Sequence, residues 1–331
     1  MRRLSGYLLA TLVTLTVLVA LIVSGLRLAL PHLERFRPQI VEKIEQYSGV
    51  PMKIGSLDAS WQSFGPTLDV RDISLAQPKG NIRIQRVTVA LDVWQSLLHW
   101  RWQFRDLTFY HLNANSNEPF SRSSSGSDGF ESDTLTNIFL YQFDHFILRD
   151  SKVTFPSPSG TRIQLNIPNL TWLNTATRHR AEGQVMFSTQ EGQHGNLQVR
   201  MDLHDKNGLL SDGQVYLQAD EIEMKPWLSR WVNRNTGLHS AKFSLASWLT
   251  VTDGEIQGGH LVLKQGEANW STADKQHDLT VDNLNLQVGR VAGGWTFDIP
   301  QLNLATDGVA WPKGSLSAMY RPENTRFIGP D

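Results

Sequence analysis

A chain of 331 residues, 40% hydrophobic and 19% charged, is long enough for a sizeable core and too apolar for a disordered segment. Its net charge of -1 excludes the basic footprint of a nucleic-acid-binding protein. The absence of cysteine excludes disulfides, thiolate catalysis, zinc ribbons and iron–sulfur clusters together.

The chain opens with "MRRLSGYLLATLVTLTVLVALIVSGLRLAL", in which no charge falls between Tyr7 and Leu26. As a helix this run spans about 30 Å, the thickness of a bilayer's hydrocarbon core. Arg2 and Arg3 precede it, so the positive-inside rule predicts a cytoplasmic N-terminus, and Tyr7 is placed to sit at the headgroups. The competing reading is a cleaved signal peptide ending near Val23-Ser24-Gly25. Signal h-regions run to about 7–15 residues. The longer run here favours an uncleaved anchor over residues 1–30.

Residues 31–50 read as one amphipathic helix. Leu33, Phe36, Ile40, Ile44 and Tyr47 recur every three or four positions, with an interruption at Pro38 and a stop at Gly49. From Met52 onward the period becomes two, and residues 51–331 are expected to form a single β-domain.

In that domain Ile82 and Ile84 alternate with polar neighbours, and so do Val87, Val89, Leu91 and Val93. Leu107 and Phe109 follow, then Ile163, Leu165 and Ile167. Leu197, Val199, Met201 and Leu203 form another run, succeeded by Val215 and Leu217, then Phe243, Leu245, Leu249 and Val251. Leu279 and Val281 shift phase to Leu284, Leu286 and Val288, and Trp295, Phe297 and Ile299 shift to Leu302 and Leu304. Such shifts imply bulges or corners in a coiled sheet. "SPSG", "KNG", "SDG", "TDGE" and "AGG" supply the turns. The pattern predicts about fifteen strands of ordinary length, consecutive ones antiparallel. Three short helices are predicted at "WQSLLHW", "TLTNIFLYQ" and "MKPWLSRWVNR", and residues 113–133 read as a flexible Ser/Gly/Asn-rich surface loop.

So few helices cannot cover such a sheet. Its apolar face can pack on a second sheet, close into a barrel, or hold apolar molecules. The sandwich is the commoner solution, and periodicity alone does not choose. The alternating face carries no periodic charge, which tilts the reading toward an apolar trough and away from a porin-like barrel with a polar lumen.

The segment "SGVPMKIGSLDASWQSFGPTLDVRDISL", residues 48–75, follows directly on the anchor and helix. With "VTVALDVWQSLLHWRWQFRDLTF" (Val87 to Phe109) and "RHRAEGQV" (Arg178 to Val185), it resembles the AsmA-like family of Gram-negative envelope proteins. The resemblance runs through the whole chain. It implies an inner-membrane helix followed by a long β-sheet curled into an apolar groove that moves phospholipid toward the outer membrane. It makes phospholipid and the inner membrane the partners, with outer-membrane or periplasmic proteins as further candidates. Family members are several times longer. Fifteen strands at about 4.8 Å reach only about 70 Å, so the N-terminal portion of a longer carrier is expected.

Catalytic chemistry is sparse. The ten histidines are scattered with no His-x-x-x-His pair, and no nucleophile elbow, phosphate loop or calcium loop occurs. Glu221 and Glu223 share a strand face and read as a solvated edge. No metal, cofactor or catalytic residue is assigned. The function expected is lipid transfer without an enzymatic step; the alternative is an envelope structural or assembly protein built from closed β-sandwiches.

Overall fold

The computed structural model describes residues 2–62, 65–77, 80–100, 103–117, 141, 143–156, 162–189, 192–206, 209–225, 237–253, 255–321 and 324–328. Helix α1 (Arg2–Ala29) is 28 residues long, about 42 Å at 1.5 Å per residue. Among the described residues the N-terminal helical stretch is the one region long and apolar enough to cross a membrane. Leu15, Leu18, Leu21 and Ile22 on it are exposed. Arg2, Arg3 and Tyr7 lie in its first turns, with side chains outside those described.

The expected amphipathic helix is divided where Pro38 falls. A 3-10 helix (Leu30–Phe36) leads into α2 (Arg37–Ser48), which carries that proline in its first turn, where a missing N–H costs nothing. Gly49 closes α2 at φ 71°, its N–H donating to Glu45 O at 2.8 Å.

The strands follow in order: β1 (Met52–Lys53), β2 (Ser56–Gln62), β3 (Gly65–Gln77), β4 (Gly80–Leu91), β5 (Phe104–Ser116) and β6 (His145–Pro156). Then come β7 (Arg162–Asn174), β8 (Arg178–Thr189), β9 (Gly192–Lys206), β10 (Leu209–Glu223), β11 (Gly237–Thr252), β12 (Glu255–Ser271) and β13 (Gln276–Val291). The last are β14 (Gly294–Ile299), β15 (Leu304–Thr306), β16 (Val309–Ala310), β17 (Leu316–Arg321) and β18 (Asn324–Ile328). Helix α3 (Val93–His99) separates β4 from β5.

All belong to one sheet of 18 strands. From β2 to β14 each strand pairs with the next. The first and last strands are not paired with each other among the described residues, so the sheet is open and long rather than closed into a barrel. One pair departs from the expected antiparallel order: β5 and β6 are parallel, because β5 ends at one margin of the sheet with Ser116 and β6 begins at the other with His145.

A crease runs across the strands and positions everything else. Asp72 in β3, His111 in β5, Asp150 in β6, Glu221 in β10 and Asn283 in β13 all have φ between 48° and 56°. They are the same row of the sheet. Asp72 lies level with Gln85 of β4, and Gln85 with His111. His111 lies level with Asp150, and Asp150 with Pro168 of β7. In β7 two residues, Ile167 and Pro168, oppose the single Val185 of β8, a bulge that accommodates a proline with no N–H to donate. Farther on, Glu221 lies by Ser244 of β11, and Lys264 of β12 by Asn283.

At each crease two polar residues point outward in succession, and inward alternation then resumes. The sequence shows this as an apolar-polar-polar-apolar step: Val70-Arg-Asp-Ile73, Ile84-Gln-Arg-Val87, Phe109-Tyr-His-Leu112, Ala219-Asp-Glu-Ile222, Val281-Asp-Asn-Leu284. The strand bends and its apolar residues stay on the inner side of both wings, so the sheet curls into a groove.

The row extends past the paired strands at both edges, where one crease-spanning strand is replaced by two short ones. Gly55, between β1 and β2, donates to Arg71 O and Asp72 O at 3.0 and 3.2 Å; a Cβ there would fall 2.8 Å from that of Asp72, so only glycine fits. At the other edge Asn303, between β14 and β15, accepts from Asp282 N–H at 3.1 Å and donates from Nδ2 to Asn283 O at 3.4 Å.

Several expectations need correction. Val93 does not continue the strand face of β4. Asp92 turns the chain instead: its Oδ1 accepts from Gln95 N–H at 3.0 Å, and Val93 opens α3, the helical turn read at "WQSLLHW". Residues 113–116 belong to β5 rather than to a loop. The rest of that loop from residue 118, and the helices read at 134–142 and 224–234 apart from Tyr141 and from Met224 and Lys225, lie outside the described residues.

The crease makes a testable demand on Asn283, which is exposed and at φ 50°. Left-handed geometry costs an L-residue about 1–2 kcal/mol, and a β-branched residue more than most. Asn283→Val should lower stability by at least about 1 kcal/mol in thermal unfolding in detergent, while Asn283→Gly should be neutral or stabilising.

Candidate functional site

Residues directly opposite in a ladder share a face, so register shows which side chains the sheet gathers. Leu203, Met201, Val199 and Leu197 of β9 lie opposite Gly213, Val215, Leu217 and Ala219 of β10. Those lie opposite Val251, Leu249, Ser247 and Leu245 of β11, and beyond the crease Ile222 lies opposite Phe243. Leu263 and Leu261 of β12 meet Leu284 and Leu286 of β13, Gly259 meets Val288, and Gly266 and Ala268 meet Val281 and Leu279. At the other end Val89 and Val87 meet Leu107 and Phe109, Leu91 sits beside Phe104, and Phe155, Val153 and Ser151 meet Ile163, Leu165 and Ile167. Except for Val93, every candidate groove residue read from the sequence falls on this one inner face.

Sequence reading missed other members of the face: Leu68, Val70, Ile73, Leu112, Phe146, Leu148, Phe155, Leu170, Trp172, Phe187, Leu261 and Leu263. The apolar-polar-polar-apolar step flanks several of these and would have found them. Trp172 is stacked on Phe146 at 5.7 Å, and Phe146 meets Phe109 edge-on at 6.2 Å.

The face is not uniformly sealed. Two patches are packed by their own side chains. One lies around Ile73, Ile84, Val87, Leu107, Phe109 and Phe146, the other around Phe155, Ile163, Phe187, Ala219 and Ile222. Phe243 lies over Gly266, where a Cβ would sit 2.2 Å from its ring. Leu197 and Leu245 pack against the second patch, whereas elsewhere Val199, Met201, Val215, Leu217, Leu249, Leu261, Leu263 and Leu286 are only half-buried. In the core of a sandwich they would be covered.

Among the described residues the charged side chains on this face stand at its margins, among them Asp205, and Arg290 with its partner Glu255. That margin carries a polar network. His179, fully buried, contacts Asn174 Oδ1 through Nδ1 at 2.7 Å. Trp172 Nε1 donates to the same oxygen at 2.7 Å, and Asn174 Nδ2 donates to Phe143 O at 3.0 Å. Tyr141 stands edge-on to His179 and donates to Asp205 at 2.5 Å; burial and that carboxylate push its phenol up to about 12. Beside it, the Asp144 carboxylate at 3.0 Å raises His145 above the ordinary histidine range.

The outer face is the reverse. Arg86 forks onto Asp69 at 2.7 to 3.1 Å and holds that carboxyl below the usual range, and Arg200 pairs with Glu182 at 2.9 Å. A recess of about 300 Å³ opens on this side at the crease, lined by Arg71, Asp72, Gln85, Arg86, Tyr110 and His111. Among the described residues no group of three or more His, Asp or Glu is arranged to hold a metal ion. Glu223, read from sequence as a solvated edge, is buried and accepts from Ala241 N–H at 2.8 Å; Glu221 is exposed at the crease.

Comparison with known proteins agrees with this geometry. A family model described as "YhdP protein" matches residues 1–329. The chain is 52% identical over 324 residues to a protein of Escherichia coli (strain K12) named "Intermembrane phospholipid transporter YhdP". The match covers 98% of this chain and 26% of that protein, so the chain spans about a quarter of its relative's length. No solved structure matches it.

The margin network yields a prediction. Replacing Asn174 by leucine strands buried His179 and the partly buried Trp172 Nε1 and Phe143 carbonyl, at about 1–3 kcal/mol for a buried group left unpaired. Asn174→Leu should lower the unfolding free energy by at least about 2 kcal/mol. The same change at exposed Asn285 should stay within about 0.5 kcal/mol in the same melts.

Proposed function

The chain belongs to the YhdP protein family, and on that premise we propose that it carries phospholipid along the inner face of its β-groove, away from the membrane in which α1 is anchored. The observation that carries this reading is the inner face itself, apolar across the strands, uncharged between its margins and half-exposed over much of its length. Soluble proteins rarely leave contiguous apolar patches above a few hundred Å² uncovered. Acyl chains are the matching occupant.

The mechanism needs no catalytic residue. Acyl chains lie on the inner face while headgroups stay in water between the margins. Each methylene removed from water contributes about 0.8 kcal/mol, so two long chains hold a lipid firmly in the groove. Movement along it requires that neighbouring positions bind alike, and Val, Leu, Ile and Met repeated from strand to strand supply nearly equal surroundings. Polar stops such as the Asn174–His179 network stand at the margin, outside the acyl path.

Three finer assignments belong to the same proposal. Arg2 and Arg3 put the N-terminus in the cytoplasm, with α1 in the inner membrane and the sheet in the periplasm. Residues 1–30 are the anchor, 31–50 a docking segment against the first strands, and 51–331 the groove. Delivery at the outer membrane involves envelope proteins beyond this chain.

Lipid extraction and mass spectrometry of the purified protein tests the reading. Phospholipid should co-purify in near-stoichiometric amount. Leu217→Asp, at a half-buried position away from both packed patches, should leave the protein folded and sharply cut the bound lipid. Leu203→Asp, at a position only 6% exposed beside His179, should destabilise the fold by several kcal/mol, as a buried unpaired charge does. A folded protein that carries no lipid, and loses its fold equally with either aspartate, would favour a closed structural role instead.

A further inference from the structure

Helix α3 turns its apolar residues the wrong way for a soluble domain. Ser96 faces the sheet, its Oγ donating to Asp92 O at 2.6 Å and accepting from Gln103 N–H at 2.9 Å, and Val93 lies against the site of Gly65. The opposite arc carries Trp94, Leu97 and Leu98, exposed at 60, 59 and 74%. Trp100 closes the helix at φ 51° and is 92% exposed. A bulky aromatic at positive φ is strained, and glycine would serve that cap without strain. The chain instead holds an indole out into its surroundings.

Position says what meets this patch. The 3-10 helix runs antiparallel to β2: Glu34 Oε2 accepts from Leu57 N–H at 2.7 Å, and Arg37 farther on reaches back to Gly55 O. Followed toward the N-terminus, the chain therefore heads for the Gln62 end of β2, and α1 touches that strand. Gln62 O accepts from Arg105 at 3.1 Å, just past the return from α3. The root of α1 and α3 thus share one margin of the sheet. A tryptophan has an apolar ring and one polar N–H, the chemistry of the headgroup region, where such residues concentrate.

We propose that α3 is a second membrane contact, lying in the interface of the bilayer that α1 spans, with Trp94 and Trp100 at the headgroups and Leu97 and Leu98 below them. The inference rests on the reading of α1 as a membrane span. Two attachment points on one margin fix the tilt of the groove, so that its anchored end opens onto the leaflet from which lipid is drawn.

The chain has no cysteine, so single cysteines can be labelled without background. The test uses the full chain in vesicles of phosphatidylethanolamine and phosphatidylglycerol, with an environment-sensitive fluorophore at Leu98→Cys, at Leu18→Cys in α1, or at Asn285→Cys on the outer face of the sheet. The Leu98 label should lose most of its quenching by iodide relative to the Asn285 label, and brominated lipids should place it about 5–10 Å below the phosphates. A Leu98 label as open to iodide as the Asn285 label, with the Leu18 label shielded, would overturn the α3 contact and leave the anchor standing. An iodide-accessible Leu18 label would remove the anchor and this inference together.

Discussion

A strand offers only every second side chain to one face, and a sheet of such strands is apolar on one side only if every bend in it keeps count. The row of left-handed and bulged residues from Gly55 through Asp72, His111, Asp150, Pro168, Glu221 and Asn283 to Asn303 meets that constraint. At each crossing the strand gains one outward residue and resumes inward alternation in phase. Without it, half of each strand would turn its leucines and valines to water. Groove, margins and outer charge belt all follow from this one register-locked line.

The ends of the sheet obey a second demand. Exposed edges invite pairing with other chains. Here the first edge is blocked by side chains from the N-terminal helices: Glu34 and Glu45 accept from the N–H groups of Leu57 and Met52 at 2.7 and 2.6 Å. The same contacts bind the N-terminal helices to the sheet, so edge protection and attachment are one device. At the far edge Lys275 and His277 converge on Asp307, with Asp278 N–H donating to it as well, and these donors hold that carboxyl well below the ordinary range. This ties the short β15–β16 hairpin to β13.

Much of this was legible in the sequence. Period-two alternation located the strands and assigned Leu197 to Leu203, Val215 and Leu217, and Leu279 to Val288 to one face. The phase shift between Val281 and Leu284 was visible as a corner. The line it belongs to was not, because a crease is a relation between strands, and register cannot be read from one strand alone. Val93 was misplaced because its alternation with Asp92 is genuine, but the Asp92 side chain captures the Gln95 amide and starts a helix. The parallel β5–β6 pair was missed because direction depends on where the connection returns, which composition does not encode. Glu223 was read as solvated because nothing local reveals the Ala241 amide that it meets across the ladder.

The central claim, that acyl chains complete the inner face, is tested most directly by a photoreactive residue placed in turn at positions 279, 280, 285, 286, 287 and 288 of β13 in living cells. Adducts with phospholipid should form at 279, 286 and 288 and be absent at 280, 285 and 287, so that the parity of the inner positions changes once, at the crease. Adducts at every position alike, or at none, would contradict the account.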